Sequence, residues 1–220
     1  VLVPITVQLP NRQLTFQNKD GVQSAALNLY ARISTLTGRT VQTFEDVIAR
    51  DFPESLFAQS LKGYSIYQKA VPLRSGLYRL DIVIKDVQSG NVGVVNARLA
   101  VPRYDADKLE ASTLILADQI ERVPAKQVGL GQFVIGSTKV RPKMTAEFTP
   151  QDKLGIFLQV YNLKVDETSH RASASVEYHL RREGDPKDAF TLNETSQQLN
   201  QNGEQLTLEK LVSLANLEPG

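Results

Sequence analysis

The chain has 220 residues, with 25 Lys and Arg against 24 Asp and Glu, two His and no Cys, for a formal charge of +1. So balanced a chain lacks the field that steers a protein onto nucleic acid or anionic lipid, and without Cys it has neither disulfides nor thiolate chemistry, an absence that leaves its compartment open. No run approaches the roughly 18 apolar residues of a membrane helix, and the length suits one large domain or two β-sandwiches of about 100 residues each.

Strand signals begin at once. Ile5, Val7 and Leu9 alternate with polar residues up to Pro10-Asn11, and Leu14 and Phe16 follow before the turn Asn18-Lys19-Asp20-Gly21. Ala25, Leu27, Leu29, Ala31 and Ile33 share one face of a strand over 22–33, with Asn28 and Arg32 on the other. After the turn Leu36-Thr37-Gly38-Arg39, a strand is predicted over 40–48, with a break of phase near Glu45-Asp46 that a bulge would explain. Residues 51–63 read either as a short helix started by Pro53 or as an irregular crossover. Extended character resumes over 64–71.

Leu73-Arg74-Ser75-Gly76-Leu77-Tyr78 then reads as a tyrosine corner. It leads into a strand with Tyr78, Leu80, Ile82 and Ile84 facing one way and Arg79, Asp81, Val83 and Lys85 the other. The turn Ser89-Gly90-Asn91 feeds a last strand over 92–101, which Pro102 closes. The polar run Arg103-Tyr104-Asp105-Ala106-Asp107-Lys108 marks a domain boundary, dividing the chain into 1–103 and 104–220.

In the second half, strands are predicted over 112–117, 139–148, 154–163, 172–182 and 205–212, with a weaker one near Phe190. Glu121 to Gly131 is a Gly-containing connection. The Asn-, Gln- and Ser-rich tract 193–204 reads as an exposed, mobile loop. Leu217-Glu218-Pro219-Gly220 echoes Leu73 to Gly76, so the expectation is a second corner without the Tyr strand that should follow it. The fold class is therefore all-β: two tandem sandwiches of immunoglobulin or fibronectin-III type, the second lacking its last strands. On this reading the open edge of the second domain is a place for strand donation by a partner chain.

Groups that carry chemistry are sparse, and no catalytic or cofactor-binding residue is assigned. His170 falls in a predicted turn and His179 on the polar face of a strand between Glu177 and Arg181; zinc would need three or four convergent ligands. Asp105 and Asp107, with Glu110 and the more distant Asp86, are the one weak calcium candidate, because hard oxygen donors at a domain junction could hold Ca²⁺. Gly129-Leu130-Gly131 lacks the third Gly of a dinucleotide site, no Ser sits in a Gly-x-Ser-x-Gly elbow, and Asn193-Glu194-Thr195 is a sequon by chance. Tyr64, Tyr67, Tyr78, Tyr161 and Tyr178 all lie in predicted strands and are assigned to the core.

Several segments resemble a known family: Leu36 to Asp46, Ser65 to Leu73, Lys85 to Gly93, and Gly129-Leu130-Gly131-Gln132-Phe133-Val134-Ile135-Gly136. They resemble the C-terminal region of bacterial GWxTD-domain proteins, and the resemblance covers most of the chain. The motif itself is absent, since there is no Trp. The resemblance implies a bacterial periplasmic, envelope or secreted setting and a polypeptide that extends in both directions. It transfers no catalytic residue. The function expected is a non-catalytic interaction or structural module of a larger extracytoplasmic protein or assembly, whose partner is a protein or the remainder of its own polypeptide. The alternatives are a carbohydrate- or peptide-binding module and an accessory domain of an enzyme whose active site lies upstream.

Overall fold

The computed structural model describes residues 1–128 and 131–218, so Gly129 and Leu130 of the Gly motif and Pro219 and Gly220 of the C-terminal echo lie outside the described residues. The chain is all-β, with antiparallel sheets throughout, and its contacts divide it into Val1–Arg103 and Tyr104–Gly220.

In the first unit the elements are β1 (Leu2–Pro10), β2 (Gln17–Lys19), β3 (Val22–Thr35), β4 (Thr40–Pro53), α1 (Glu54–Ser60), β5 (Tyr64–Pro72), β6 (Gly76–Asp86) and β7 (Val92–Val101). Strands β1 and β5 form one sheet; β4, β3, β6 and β7 form the other, with β2 beside the start of β3. Both contribute to one core. Ile5, Tyr67 and Val71 come from the small sheet, and Leu27, Leu29, Ala31, Ile33, Ile48, Leu80 and Ile82 from the large one. The period-2 alternation forces this arrangement, since every second residue of β3 must leave water together. The core takes in the end of β7, through Leu99 and Val101, but not its start. Val95, in register with buried Ile82, is 56% exposed.

The tyrosine corner is present: the Tyr78 hydroxyl donates to the Arg74 carbonyl at 2.9 Å, and its ring lies against Gly76, whose φ is 153°. Residues 54–60 form a helix, which settles the choice left open for 51–63. Phe57 packs edge-on to Phe16 at 5.0 Å, while buried Asn11 holds the helix end through its Nδ2 on the Ser60 carbonyl.

One expected feature is corrected here. Pairing of β3 and β4 runs unbroken past Glu45-Asp46, and the irregularity falls at the turn end, where Ile33 faces Gln42 but Ser34 faces Thr40. Asp46 stays on the inner face because the Tyr67 hydroxyl donates to it at 2.9 Å and Lys69 sits 3.5 Å away. Its carboxyl is held below the usual range: burial opposes this, but the Tyr67, Val47 and Lys69 donors outweigh it. An apparent break of phase is thus a satisfied polar residue.

The second unit contains β8 (Glu110–Ala111), β9 (Ile115–Arg122), β10 (Val134–Ile135), β11 (Thr138–Pro142), β12 (Lys153–Tyr161), β13 (Ser175–Arg181), β14 (Asp188–Thr195), β15 (Asn200–Asn202) and β16 (Gln205–Ser213). Its larger sheet runs β10, β11, β9, β12, β16, β15, with β8 also on β12; β13 and β14 form a separate hairpin. One face of β12 and β16 supplies Leu158, Val160, Leu206 and Leu208 to a core shared with Val176 of β13. On the other face, Phe157, Ala117 and Val140 make a second cluster. Gly155 is required there. A Cβ on it would stand 2.7 Å from the Ala117 carbonyl oxygen.

Two sequence expectations fail in this unit. The strand starting at 139 stops at Pro142, after which Lys143 to Phe148 turns away, since Pro142 ends the ladder at an irregular pair with Ala117. The tract 193–204 is not a mobile loop: it completes β14, buries Ser196 and adds β15 to the edge of β16. Cross-strand pairing decided this, and polar composition alone could not reveal it.

Tyr78→Phe should lower stability by about 0.5–1.5 kcal/mol through loss of the corner hydrogen bond. Gly155→Ala should cost about 1–3 kcal/mol by overpacking. Urea unfolding of both variants checks these values, and an unchanged midpoint for either would contradict the stated role.

Candidate functional site

The residues assigned weakly to calcium are occupied by local structure. Asp105 Oδ1 accepts from the Asp107 backbone N–H at 3.1 Å, and Oδ2 lies 3.2 Å from Lys108 Nζ. Asn162 Nδ2 donates to the Asp105 and Lys108 carbonyls, both at 2.8 Å. Asp86 accepts the backbone N–H groups of Thr15, Gln88 and Ser89. Burial alone would raise its pKa, yet these donors hold it below the usual carboxylate range. Among the described residues no group of three or more His, Cys, Asp or Glu is arranged to hold a metal ion.

His170 adopts φ 53° in a turn, where its backbone N–H donates to the Asp166 carbonyl. His179 lies on the outer face of β13. Its Nδ1 is 2.9 Å from Asp188 Oδ2 and its Nε2 is 3.3 Å from Glu177 Oε2, while Arg181 donates to Asp188 Oδ1 at 2.9 Å. The cluster braces the hairpin across its two strands. Of the five Tyr residues assigned to the core, Tyr67, Tyr78 and Tyr178 are buried, whereas Tyr64 is exposed near the end of β5 and Tyr161 packs edge-on to Tyr104 at 5.5 Å. Tyr64 is a correction. It starts its strand opposite Pro10, on the face away from Tyr67 and Val71 and so away from the core.

The most developed surface is the outer face of the large sheet in the first unit. Register places Glu45, Tyr30, Val83 and Val94 in one row across β4, β3, β6 and β7. Tyr30 is 40% exposed and Val94 60%, and nearby Val47 is 63% exposed. The next row is polar and organised around Asp81, which accepts from Arg32 at 2.9 Å, Arg79 at 2.8 Å and Asn96 at 2.6 Å. Arg32 and Arg79 first of all, with Asn96, hold the Asp81 carboxyl down to about 2, against the opposing effect of burial. Two guanidinium groups meet one buried carboxylate, Arg98 stands beside Arg79 in register, and a strip of exposed apolar side chains lies next to them. Alternation alone placed Asn28, Arg32, Asp81 and Val83 outward. It gave no sign that Tyr30 and Val94 stand in one row, because cross-strand register is not written in either strand.

No protein-family model matches the chain, and no curated protein matches it. Among the described residues no helix is long and apolar enough to cross a membrane, which says nothing of strands.

The two charged clusters should respond to pH in opposite directions. Asp81 has a lowered pKa in the folded state, so its stabilisation is present above the unfolded value of about 3.9 and lost as pH falls through about 2. For His179 the pKa is raised by Asp188 and then Glu177, so its stabilisation is complete below about 6.5 and lost as pH rises through the higher folded value. NMR titration of the His179 ring checks the second; a midpoint at or below the ordinary histidine value would contradict it.

Proposed function

We propose that the chain is a non-catalytic interaction or structural module of a larger bacterial extracytoplasmic protein or assembly. The observation that carries this reading is the outer face of the first unit, where exposed Tyr30 and Val94 flank half-buried Val83 in one row beside the Arg32–Asp81–Arg79 cluster. Such a surface suits protein recognition. Its aromatic and aliphatic groups can be desolvated on contact, its guanidinium groups can meet carboxylates, and the sheet beneath keeps all of them in place at little entropic cost. The extracytoplasmic setting rests on the resemblance to the C-terminal region of GWxTD-domain proteins.

A peptide-binding reading is favoured by one further feature, the strand edges left unpaired among the described residues, those of β7 and β13 among them. It is a special case of the first proposal, with the contact made through backbone groups instead of the sheet face.

The test uses the whole chain, immobilised and exposed to a bacterial envelope extract. The chain should retain a defined protein, and Tyr30→Asp with Val94→Asp should weaken that retention by at least about tenfold while leaving the thermal midpoint unchanged. Retention unaffected by the double variant would remove this face from the reading. Turnover of ester, glycoside or phosphate substrates by the purified chain would overturn the non-catalytic assignment.

A further inference from the structure

The two units share one path. In the first, β1 is followed by the hairpin β3–β4 and by β5, which returns to pair with β1; in the second, β12 is followed by the hairpin β13–β14 and by β16, which returns to pair with β12. The path then differs. In the first unit β6 takes the remaining edge of β3, from Leu27 opposite Asp86 to Thr35 opposite Tyr78. In the second, among the described residues, β13 is paired with β14 alone.

The core records the difference. Leu27, Leu29, Ala31 and Ile33 on the inner face of β3 are all at most 2% exposed, but Val176 and Leu180 on the inner face of β13 stay half-buried. Tyr178 between them is 8% exposed, with the Glu194 carboxylate beside its hydroxyl.

The edge is also open in the strict sense. Ser196 donates its backbone N–H to the Ala174 carbonyl at 2.8 Å, so Ala174 presents its backbone to the β14 side. By antiparallel alternation Val176, Tyr178 and Leu180 do the same, and the N–H and C=O groups of Ser175, Glu177 and His179 point away from β14. No Pro interrupts this stretch, and the register shift falls only at Arg181. Of the charges on the outer face, His179 and Arg181 are turned to Asp188, leaving Glu177 with a single contact, to the His179 ring at 3.3 Å.

We propose that the free edge of β13 is a strand-addition site for an extended segment of a partner protein. That segment has alternate apolar residues to cover Val176 and Leu180 and a basic residue on its other face to meet Glu177. This rests on the interaction-module reading above and gives it a place and a chemistry. A second copy offering its own β13 in antiparallel register about Glu177 would set that carboxylate opposite its own counterpart, a like-charge pair that weakens the ladder. An inserted single strand covers both the edge and the core beneath it.

The chain itself contains a strand of the required kind, β6, which closes the equivalent position in the first unit with Leu80 and Ile82 inward and the basic Arg79 and Lys85, either side of Asp81, outward. A synthetic peptide of residues 76–86 is therefore the probe, titrated into the whole chain and followed by fluorescence anisotropy and amide hydrogen exchange. The expected result is saturable binding with new protection at the Ser175, Glu177 and His179 amides. Glu177→Pro, which removes one edge N–H, should weaken it at least about tenfold. Glu177→Lys keeps the backbone and should weaken it severalfold through the reversed charge, so the proposal stays testable if the Pro variant fails to fold. A scrambled peptide without alternation should not bind. Equal binding of the scrambled peptide, no protection on β13, or self-association of the chain that the Glu177 variants abolish would each overturn the proposal. Loss of peptide binding with retention on the Tyr30 face intact would discard this site alone.

Discussion

Everything in the first unit depends on β3 being flanked on both edges and covered on one face. Ala31 and Ile33 have no exposed surface at all, and they reach that state because β4 and β6 flank them in register while Tyr67 and Val71 close from the other layer. Removing any one of these neighbours would return apolar area to water at about 25 cal/mol per Å². The tyrosine corner belongs to the same constraint, since it fixes where β6 enters and so keeps Leu80 and Ile82 opposite Ile33 and Ala31.

The second unit meets the constraint only in part. Its larger sheet is buried on both faces around β12, with Phe157 on one side and Leu158 and Val160 on the other. Among the described residues its β13 is paired on one edge, where β3 is paired on both. Between the layers, Glu194 and Lys210 form an ion pair at 2.6 Å, and burial first of all, with the Glu194 carboxylate beside it, pushes the Tyr178 phenol upward. A polar pair at this depth packs less well than the aliphatic rows of the first unit and marks the hairpin as the less firmly held element.

Polar groups inside both units follow one rule: each inward-facing charge sits where a donor or acceptor is already fixed by the fold. Asp46 meets Tyr67, and Arg50 donates to the Ile66 carbonyl at 2.8 Å across the layers. These contacts explain why a strand can carry Asp46 and Arg50 on its buried face without losing its place in the sheet. They also explain the misplaced bulge. Hydropathy registers a charge as a break, whereas the sheet registers only whether that charge is satisfied.

The sequence by itself determined the faces of the strands: the inward rows of β3 and β6, the corner at Tyr78 and the outward set Arg32, Asp81 and Val83 follow from period-2 alternation and from turn residues, which act locally. It could not determine which strands stand side by side. The row of Tyr30, Val83 and Val94, the hydrogen bonds that converge on Asp81, the extension of β14 through a polar tract and the vacant edge of β13 all arise from pairing between residues distant in the chain. That pairing is set by the joint burial of several strands at once, so only the tertiary structure could decide it.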